Sequence, residues 1–332
     1  MATADDLRLS ERVRRALGAG RVELSERVQS LWGGYGKVWR VQLSGARVEN
    51  VIAKSVTPPA EREIARDPGK LRSHRRKLRS YAVELAFYER FAQACDANCR
   101  VPASLHAEAR EGGFLFVLED LDQAGFPGRR TRCTSDEIVA CLKWLAAFHA
   151  RFLGVAPDGL WKVGTYWHLA TRPDELARLS AGELRRAAPR IDQRLNSARF
   201  RTLVHGDAKL ENFCFADSGH AVAAVDFQYV GGGVGVKDVA YFLSSCLSAA
   251  ECEARIPGYL DVYFDALRVA RAARVDARAN ANDGEALELE WRALFSWAWA
   301  DFYRFLSGWA PAYAESDSYG RKQLELVLRS LA

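Results

Sequence analysis

The sequence lacks any CxxC pair, although seven cysteines occur among its 332 residues. They are odd in number and scattered along the chain, which argues against a disulfide framework and against a zinc site. We therefore expect small buried thiols in a protein of a reducing compartment. The seven are Cys95, Cys99, Cys133, Cys141, Cys214, Cys246 and Cys252.

Long uncharged apolar runs are absent as well. Asp5 and Asp6 occupy a region that is basic in a secretory signal, and no apolar segment follows them. No later stretch is long and uncharged enough to cross a bilayer. These absences predict a cytoplasmic protein with no membrane partner. The sequence also lacks internal repeats, and its Ala/Arg/Asn-rich stretch at 268–285 is predicted to be a mobile loop.

The excess of positive charge is small, with a formal net charge of +5. Charged residues make up 27% and hydrophobic residues 49% of the chain, as in ordinary globular proteins. Much of the charge lies in one run, "KLRSHRRKLRS", at 70–80. We interpret this run as a solvated helix face, with a phosphate- or polyanion-binding patch as the alternative. Nucleic acid is not an expected partner; a nucleic-acid binder would be retained on heparin in a strongly salt-dependent way.

Apolar periodicity divides the chain into a strand-rich part and a helix-rich part that join near residues 118–125. A length of 332 residues is also typical of two domains. In chain order we predict a helix at 4–17, a strand, glycine-rich turn and strand at 27–43, a strand at 48–56, a helix at 71–92, strands at 101–107 and 114–120, a helix at 136–152, a short β-like region at 202–230 and a helix at 290–309.

Two short stretches of the second part carry the residue types that phosphoryl transfer requires. "HGDAKLEN" and "AAVDFQ" supply an aspartate, an asparagine five positions later and a second aspartate after an apolar strand. Asp207 is the predicted base that orients the attacking hydroxyl and accepts its proton. Asn212 and Asp226 are the predicted Mg²⁺ ligands. Lys209 would face the γ-phosphate and offset its developing negative charge.

The first part supplies groups suited to the phosphates of a nucleotide. "GGYG" places Gly33, Gly34 and Gly36 between two strands, where backbone amides can approach phosphates closely. Lys54, on the third strand, would reach the α- and β-phosphates of ATP. Glu84, on the following helix, would pair with Lys54 and fix its position. Each fragment alone is weak, since a strand lysine is ordinarily a solvated edge charge.

"VLEDL" at 117–121 ends the fifth strand, where the two parts of the chain join. Backbone groups around Glu119 and Leu121 are the predicted adenine-binding groups. His205 is interpreted as a structural residue that packs the predicted catalytic loop, "HGDAKLEN" at 205–212, and Cys214 as a core residue.

The order of these motifs resembles the protein-kinase-like superfamily. "HGD", "LEDL", "VDFQ" and "DVAYFL" are most similar to the aminoglycoside phosphotransferase and choline kinase-like group, nearest its ecdysteroid-kinase-like (CHK kinase-like) branch. The resemblance covers residues 25–250 and implies an α+β, two-lobed, ATP-dependent kinase fold. The N-terminal lobe at 1–121 would hold an antiparallel sheet with one main helix, and the larger, mostly helical C-terminal lobe would span 122–332.

The segment after Asp226 predicts the kind of acceptor. Only "FQYVGGGVGVK" separates Asp226 from Asp238, and no APE motif follows, so little chain is available to dock a peptide. A small-molecule alcohol is therefore the expected acceptor. "DFQ" and the absence of an arginine from "HGD" argue against control by loop phosphorylation. Asp238 either braces the catalytic loop or is a plain helix N-terminal charge.

Aromatic residues crowd the helix at 290–309, and most of them are expected to form core. The others would line the acceptor pocket, which "GTYWHLATRPDE" at 164–175 could border. Aromatic faces would suit a choline-like ammonium, flat apolar walls a steroid-like alcohol, and several carboxylates an aminoglycoside. Only Asp301 and Glu290 interrupt the aromatic stretch, which argues against a polycationic sugar. The aromatic residues are Trp291, Phe295, Trp297, Trp299, Phe302, Tyr303, Phe305 and Trp309.

The predicted function is ATP- and Mg²⁺-dependent transfer of a phosphoryl group to a hydroxyl of a small molecule that is choline-like, steroid-like or antibiotic-like. The alternative is a catalytically silent kinase fold that binds nucleotide or acts as a scaffold. The sequence leaves the acceptor and the oligomeric state open.

Overall fold

A computed structural model describes residues 3–61, 66–110, 113–274 and 281–332, with the backbone alone at 281–282. The chain divides into two compact units. The first unit comprises Met1–Asp96 and Val101–Gly128, and the second comprises Ala97–Arg100 and Arg129–Ala332. The division thus falls after Gly128, whereas the sequence placed it after Leu121.

The first unit is built on a five-stranded antiparallel sheet. Its spatial order is β1-β2-β3-β5-β4, which places β3 in the centre. Apolar side chains alternate along β2 and β3, so one face of the sheet is buried. The strands are β1 Arg21–Ser30, β2 Gly36–Ser44, β3 Asn50–Val56, β4 Ser104–Arg110 and β5 Gly113–Glu119.

Two helices of the first unit begin and end with recognisable caps. Helix α1, Ala4–Leu17, starts at a capping box on Thr3 and stops at Gly18, whose φ of 63° is left-handed. Helix α2, Pro68–Arg90, starts at Asp67, whose carboxylate accepts from two backbone N–H groups of the first turn. The apolar side of α1 packs on the sheet in a buried cluster that includes Val13.

In the described part of the chain, the second unit consists mainly of helices around four short strands. Helix α3 begins at a capping box on Thr134, and α7 begins at one on Ser248. The helices are α3 Ser135–Arg151, α4 Pro173–Arg178, α5 Glu183–Asn196, α6 Val236–Cys246, α7 Ala249–Ala272, α8 Ala281–Trp309, α9 Pro311–Ser316 and α10 Ser318–Leu331; the strands are β6 Thr202–Val204, β7 Phe213–Phe215, β8 Val222–Ala224 and β9 Gly231–Gly233. The α+β architecture predicted from the sequence is therefore confirmed: a five-stranded antiparallel sheet with one main helix precedes a larger, mostly helical part.

The mobile loop predicted at 268–285 is wrong over most of its length. Helix α7 continues to Ala272, and α8 already includes residues 281–285. Alanine, arginine and glutamate are good helix formers, and the buried Leu267 and Leu287 anchor the two helices on either side. Residues 275–280 of that stretch lie outside the described part of the chain.

The basic run at 70–80 lies on α2, and its solvent-facing positions fit the predicted solvated face. Lys70, Arg72, Arg75 and Arg79 are exposed, at helical spacing. The opposite side of the same segment is covered, since His74 and Ser80 are buried and Lys77 is half-buried.

The aromatic residues of α8 are mainly core, as expected. Of the eight, Trp297 is half-buried and Trp309 is exposed. The two carboxylates that interrupt the stretch are both engaged within the protein. Asp301 is fully buried between Arg304 and Lys237, and Glu290 accepts from the backbone N–H groups of residues 199 and 200. Six members are buried: Trp291, Phe295, Trp299, Phe302, Tyr303 and Phe305.

Across the described residues, no helix is both long enough and apolar enough to cross a membrane.

Candidate active site

The loop that follows β6 holds the predicted base. Asp207 is only 9% exposed. The Asn212 side-chain amide donates from Nδ2 to the Asp207 backbone carbonyl at 2.7 Å and to Asp207 Oδ2 at 3.1 Å. A 3₁₀ turn at Leu210–Asn212 brings the two residues together. Because Nδ2 is directed at Asp207, Oδ1 is the atom of Asn212 that is suited to a cation.

Asp226 lies two residues beyond β8 and belongs to the same group. The N–H of Val225 donates to the backbone carbonyl of Asn212 at 3.0 Å, so the two segments run side by side. Asp226 has a left-handed φ of 67°, a conformation that aspartate adopts more readily than most residues. Its charge helps to raise the pKa of Asp207. The structure thus brings together the three oxygen-bearing side chains that the sequence predicted.

Asp238 holds the catalytic loop by hydrogen bonds to its backbone. The carboxylate is fully buried in the first turn of α6. Its Oδ2 accepts from the N–H of His205 at 2.6 Å, and its Oδ1 accepts from the N–H of Gly206 at 2.9 Å. His149 Nε2 lies 3.1 Å from Oδ2. Of the two interpretations of Asp238, the geometry supports the brace.

His205 has a structural place, as expected. Its Nδ1 accepts from the N–H of Asp207 at 3.2 Å, so Nε2 carries the proton and donates to the carbonyl of Val225 at 3.0 Å. Burial lowers the pKa of His205, which favours this neutral form. One imidazole therefore ties the catalytic loop to the segment that carries Asp226. Cys214 is buried on β7, as the sequence predicted.

The surroundings of Asp207 set its protonation. Burial raises the pKa of its carboxyl to about 7, with a further contribution from the charge of Asp226. The charge of Lys209 and hydrogen bonds from Asn212 and Tyr241 act in the opposite direction. A carboxyl that titrates near neutrality is suited to accept a proton and release it again.

This raised pKa predicts a pH-dependent effect of Asp207→Asn on stability. The folded protein holds the Asp207 proton more tightly than the unfolded chain, so the wild type loses stability as the pH rises from about 4 to about 7. A neutral asparagine avoids this loss. As the pH rises from 5 to 8, we expect the free energy of unfolding of the variant to increase relative to that of the wild type, on the order of 2–4 kcal/mol. Thermal unfolding at the two pH values measures it.

Asp217→Asn is the matched control for that measurement, because Asp217 is exposed on the turn after β7. Its carboxylate remains in water, so its substitution should change Tm equally at both pH values. If the difference in stability between Asp207→Asn and the wild type does not grow with pH, the pKa of the buried Asp207 carboxyl is not raised.

The donor set fits a hard divalent cation. Asp207, Asn212 and Asp226 offer only oxygen atoms, and two of the three are carboxylates whose mutual repulsion a cation would relieve. No group of three His, Cys, Asp or Glu side chains arranged for a metal occurs among the described residues. Mg²⁺ needs no such cage, because it commonly takes one or two carboxylates together with phosphate oxygens.

Three tyrosines surround the catalytic loop, and the sequence assigned a role to none of them. The N–H of Tyr166 donates to the carbonyl of Gly206 at 3.0 Å. The ring of Tyr166 lies 5.9 Å from that of Tyr229 and 5.5 Å from that of Tyr241, and Tyr241 hydrogen-bonds to Asp207 and to Tyr166. One signal was available: Tyr241 follows Asp238 by three residues on α6, which places both on the same helix side.

Lys54, the predicted phosphate-binding lysine, lies on the central strand of the first unit. Because β3 is central, Lys54 is buried between β2 and β5 and is not an edge charge. Its Nζ donates to Glu84 Oε1 at 2.9 Å and to Oε2 at 2.7 Å. Glu84 comes from α2, as predicted. A buried lysine held by both oxygens of one carboxylate has a fixed position.

The glycine-rich turn between β1 and β2 requires its glycines. Gly33 and Gly34 have φ values of 70° and 74°, in the left-handed region. Gly36 has a φ of 145°, and a Cβ there would lie 1.9 Å from the carbonyl oxygen of Ser55. Gly36 can therefore keep this conformation only as glycine, and another residue at Gly33 or Gly34 would be strained.

The predicted adenine-binding segment is partly engaged by the protein itself. Glu119 donates its N–H to the carbonyl of Ala103 and accepts the N–H of Ala103 at Oε2, both at 2.9 Å. The carbonyl of Leu121 accepts from the N–H of Phe126 at 2.8 Å. The adenine-binding role of Glu119 and Leu121 stays a prediction.

Comparison with known proteins identifies the class. The sequence matches APH, the "Phosphotransferase enzyme family", over residues 64–274, which is more than half of the chain. The protein therefore belongs to this phosphotransferase family. The match confirms the aminoglycoside phosphotransferase resemblance, while the ecdysteroid-kinase-like branch stays a prediction. Membership in the family supports small-molecule phosphotransferase activity.

Solved structures of low identity were also found. Aminoglycoside phosphotransferase APH(3'')-Id from Streptomyces rimosus shares 17% identity at a TM-score of 0.45, over 89% of this chain and 99% of that one. Macrolide 2'-phosphotransferase type I shares 12% identity at a TM-score of 0.45, over 97% and 96% of the two chains. The search of functionally characterised proteins found no significant sequence match.

Proposed function

We propose that the protein is an ATP- and Mg²⁺-dependent phosphotransferase that transfers the γ-phosphate of ATP to a hydroxyl of a small molecule. The observation that carries the proposal is the buried Asp207, hydrogen-bonded to Asn212 and close to Asp226, in a chain of the phosphotransferase family. A base, two further oxygen ligands and a nearby lysine meet the needs of phosphoryl transfer.

Each residue has a proposed part in the reaction. Asp207 accepts the proton of the acceptor hydroxyl. The hydroxyl oxygen forms a bond to the γ-phosphorus, and the bond between that phosphorus and the ADP oxygen breaks. Lys209 offsets the negative charge on the transferred group. Asn212 and Asp226 would hold Mg²⁺, which supplies neutralisation of phosphate charge when bound. Lys54, fixed by its carboxylate partner, binds the α- and β-phosphates.

The rings beside the catalytic loop favour an acceptor with a flat apolar face. Tyr166 and Tyr229 are half-buried, and the guanidinium of Arg172 lies 5.5 Å from the Tyr166 ring centroid. This guanidinium, itself paired with Glu175 at 3.4 Å, occupies a face of the ring that a second cation, such as choline or an aminoglycoside, would use. The carboxylates of Asp301 and Glu290 are already engaged inside the protein. Among the three acceptor classes, the uncharged steroid-like alcohol is therefore favoured.

The test measures ADP formation by the purified protein with ATP, Mg²⁺ and one alcohol at a time: 17β-estradiol, choline or kanamycin. We expect turnover above the ATP-only background, greatest with estradiol. Asp226→Ala should reduce that turnover by at least about 10²-fold, because a ligand of the phosphate-neutralising cation is lost.

Undiminished turnover in Asp226→Ala would refute the proposed chemistry. Binding of ATP with Mg²⁺, seen as a thermal shift, together with no turnover on a broad set of alcohols would favour the silent, nucleotide-binding alternative. That alternative usually involves loss of the base or of the metal ligands, and this chain retains them at residues 207, 212 and 226.

A further inference from the structure

Lys77 differs from the other basic residues of its run in what it contacts. Its Nζ donates to the backbone carbonyl of Trp32 at 3.2 Å and lies 4.3 Å from the centroid of the Tyr35 ring. Among the described residues, no carboxylate lies within ion-pair distance of this ammonium. By contrast, Arg75 on the solvent side of α2 donates to Glu61 at 2.6 Å.

The partners of Lys77 belong to the glycine-rich turn. A Cβ built on Gly33 would lie 2.9 Å from the Lys77 Nζ, so the ammonium rests against the open side of that glycine. Gly34 has a positive φ of 74° and Tyr35 a negative φ of −73°. The N–H of Gly34 is used within the turn, because it donates to the carbonyl of Leu31 at 3.2 Å, so the Lys77 ammonium supplies the donor to an anion at this place.

A second contact keeps Lys77 at this turn. The hydroxyl of Tyr35 lies 2.6 Å from Nδ1 of His74, and both side chains are buried. His74 precedes Lys77 by three residues, so the two contact the turn from the same side of α2. The position of the Lys77 ammonium beside the glycines is therefore fixed by its own contacts with the turn and by the contact between Tyr35 and His74.

The electrostatic situation of Lys77 favours an anionic ligand. Burial lowers the pKa of its ammonium, and the charge of Arg76 adds to the effect. An ammonium has three N–H donors, and the described contacts use one of them in a hydrogen bond. A phosphate group would accept hydrogen bonds from the remaining N–H donors of Lys77 and would favour its charged ammonium form.

We propose that Lys77 is a second phosphate-binding lysine of this protein, which recognises the phosphate groups of a nucleoside triphosphate next to Gly33 and Gly34. The inference rests on the proposed function, because it assumes that ATP is the phosphoryl donor. It gives one member of the basic run at 70–80 a binding role, while the exposed members remain a solvated face.

The test is calorimetric titration of the full chain with ATP and with adenosine, in the presence of Mg²⁺. Lys77→Gln removes the charge and keeps a group that can donate to the Trp32 carbonyl. We expect it to weaken ATP binding about tenfold, the loss of one charge-assisted hydrogen bond, and to leave adenosine binding unchanged. Lys70→Gln, on the exposed side of the same helix, should keep the wild-type affinity for both ligands.

The other outcomes overturn the inference. If Lys77→Gln binds ATP like the wild type while Lys77→Met binds it poorly, the lysine only tethers the turn. If Lys77→Gln loses ATP and adenosine affinity to the same extent, the nucleotide site is disturbed in general. Equal ATP affinity in all variants refutes the role of Lys77 and leaves the proposed function standing, whereas a wild type that binds no ATP refutes both.

Discussion

Asp207→Asn is expected to lower kcat by about 10²- to 10⁴-fold, the usual contribution of a positioned general base. The amide cannot accept the hydroxyl proton, yet it has nearly the shape of the carboxylate. Its Oδ1 can still accept from the Asn212 side chain, which donates to Asp207 at 3.1 Å in the wild type. The measurement is ADP formation at saturating ATP, Mg²⁺ and acceptor.

The loss of kcat can be attributed to the missing base only if the Asp207→Asn variant keeps the wild-type fold. Asp207→Asn should unfold no earlier than the wild type at pH 8, because it removes a carboxyl whose ionisation burial disfavours. ATP affinity should also stay near that of the wild type, since Asp207 is assigned to the acceptor hydroxyl and not to the nucleotide. A variant that keeps more than about a tenth of the wild-type kcat would contradict the role of Asp207 as base.

Asp238→Ala is expected to destabilise the protein by about 2–6 kcal/mol. The substitution leaves the N–H groups of His205 and Gly206 without their acceptor and removes the carboxylate beside His149. A buried donor without a partner costs about 1–3 kcal/mol, so the combined loss is large for one side chain. Urea unfolding, followed by circular dichroism, measures the free energy of unfolding.

Two further variants serve as comparisons for Asp238→Ala. Asp238→Asn keeps one oxygen that can accept from the catalytic loop, so we expect a loss between those of the wild type and the alanine variant. Asp265→Ala is the surface control, because Asp265 is exposed on α7. If Asp238→Ala costs less than about 1 kcal/mol, the carboxylate does not brace the loop.

Local order along the chain made much of the site predictable. Asp207 and Asn212 are five residues apart, and a single 3₁₀ turn at the end of that interval brings them together. The strand before Asp226 was visible as a short apolar run. The pairing of Lys54 with Glu84 was predicted from their places on a strand and on the next helix, and the structure shows it.

Other features depend on contacts between segments that are distant in sequence. Tyr166 reaches the catalytic loop because its N–H donates to the carbonyl of Gly206, which lies 40 residues further along the chain. No local periodicity encodes that contact. The helical stretches inside 268–285 were mistaken for a loop because composition outweighed helix propensity in the prediction.

The sequence by itself determined which chemical groups the protein has and which of them lie within one turn or strand, because backbone geometry limits how far close neighbours in the chain can separate. The tertiary structure alone decided burial and partner choice: that β3 lies between β2 and β5 and buries Lys54, that Asp238 braces the loop, and that Lys77 turns toward the glycines while Arg75 and Arg79 of the same helix face water. These depend on desolvation and on pairing between remote segments, and both exist only once the chain has packed.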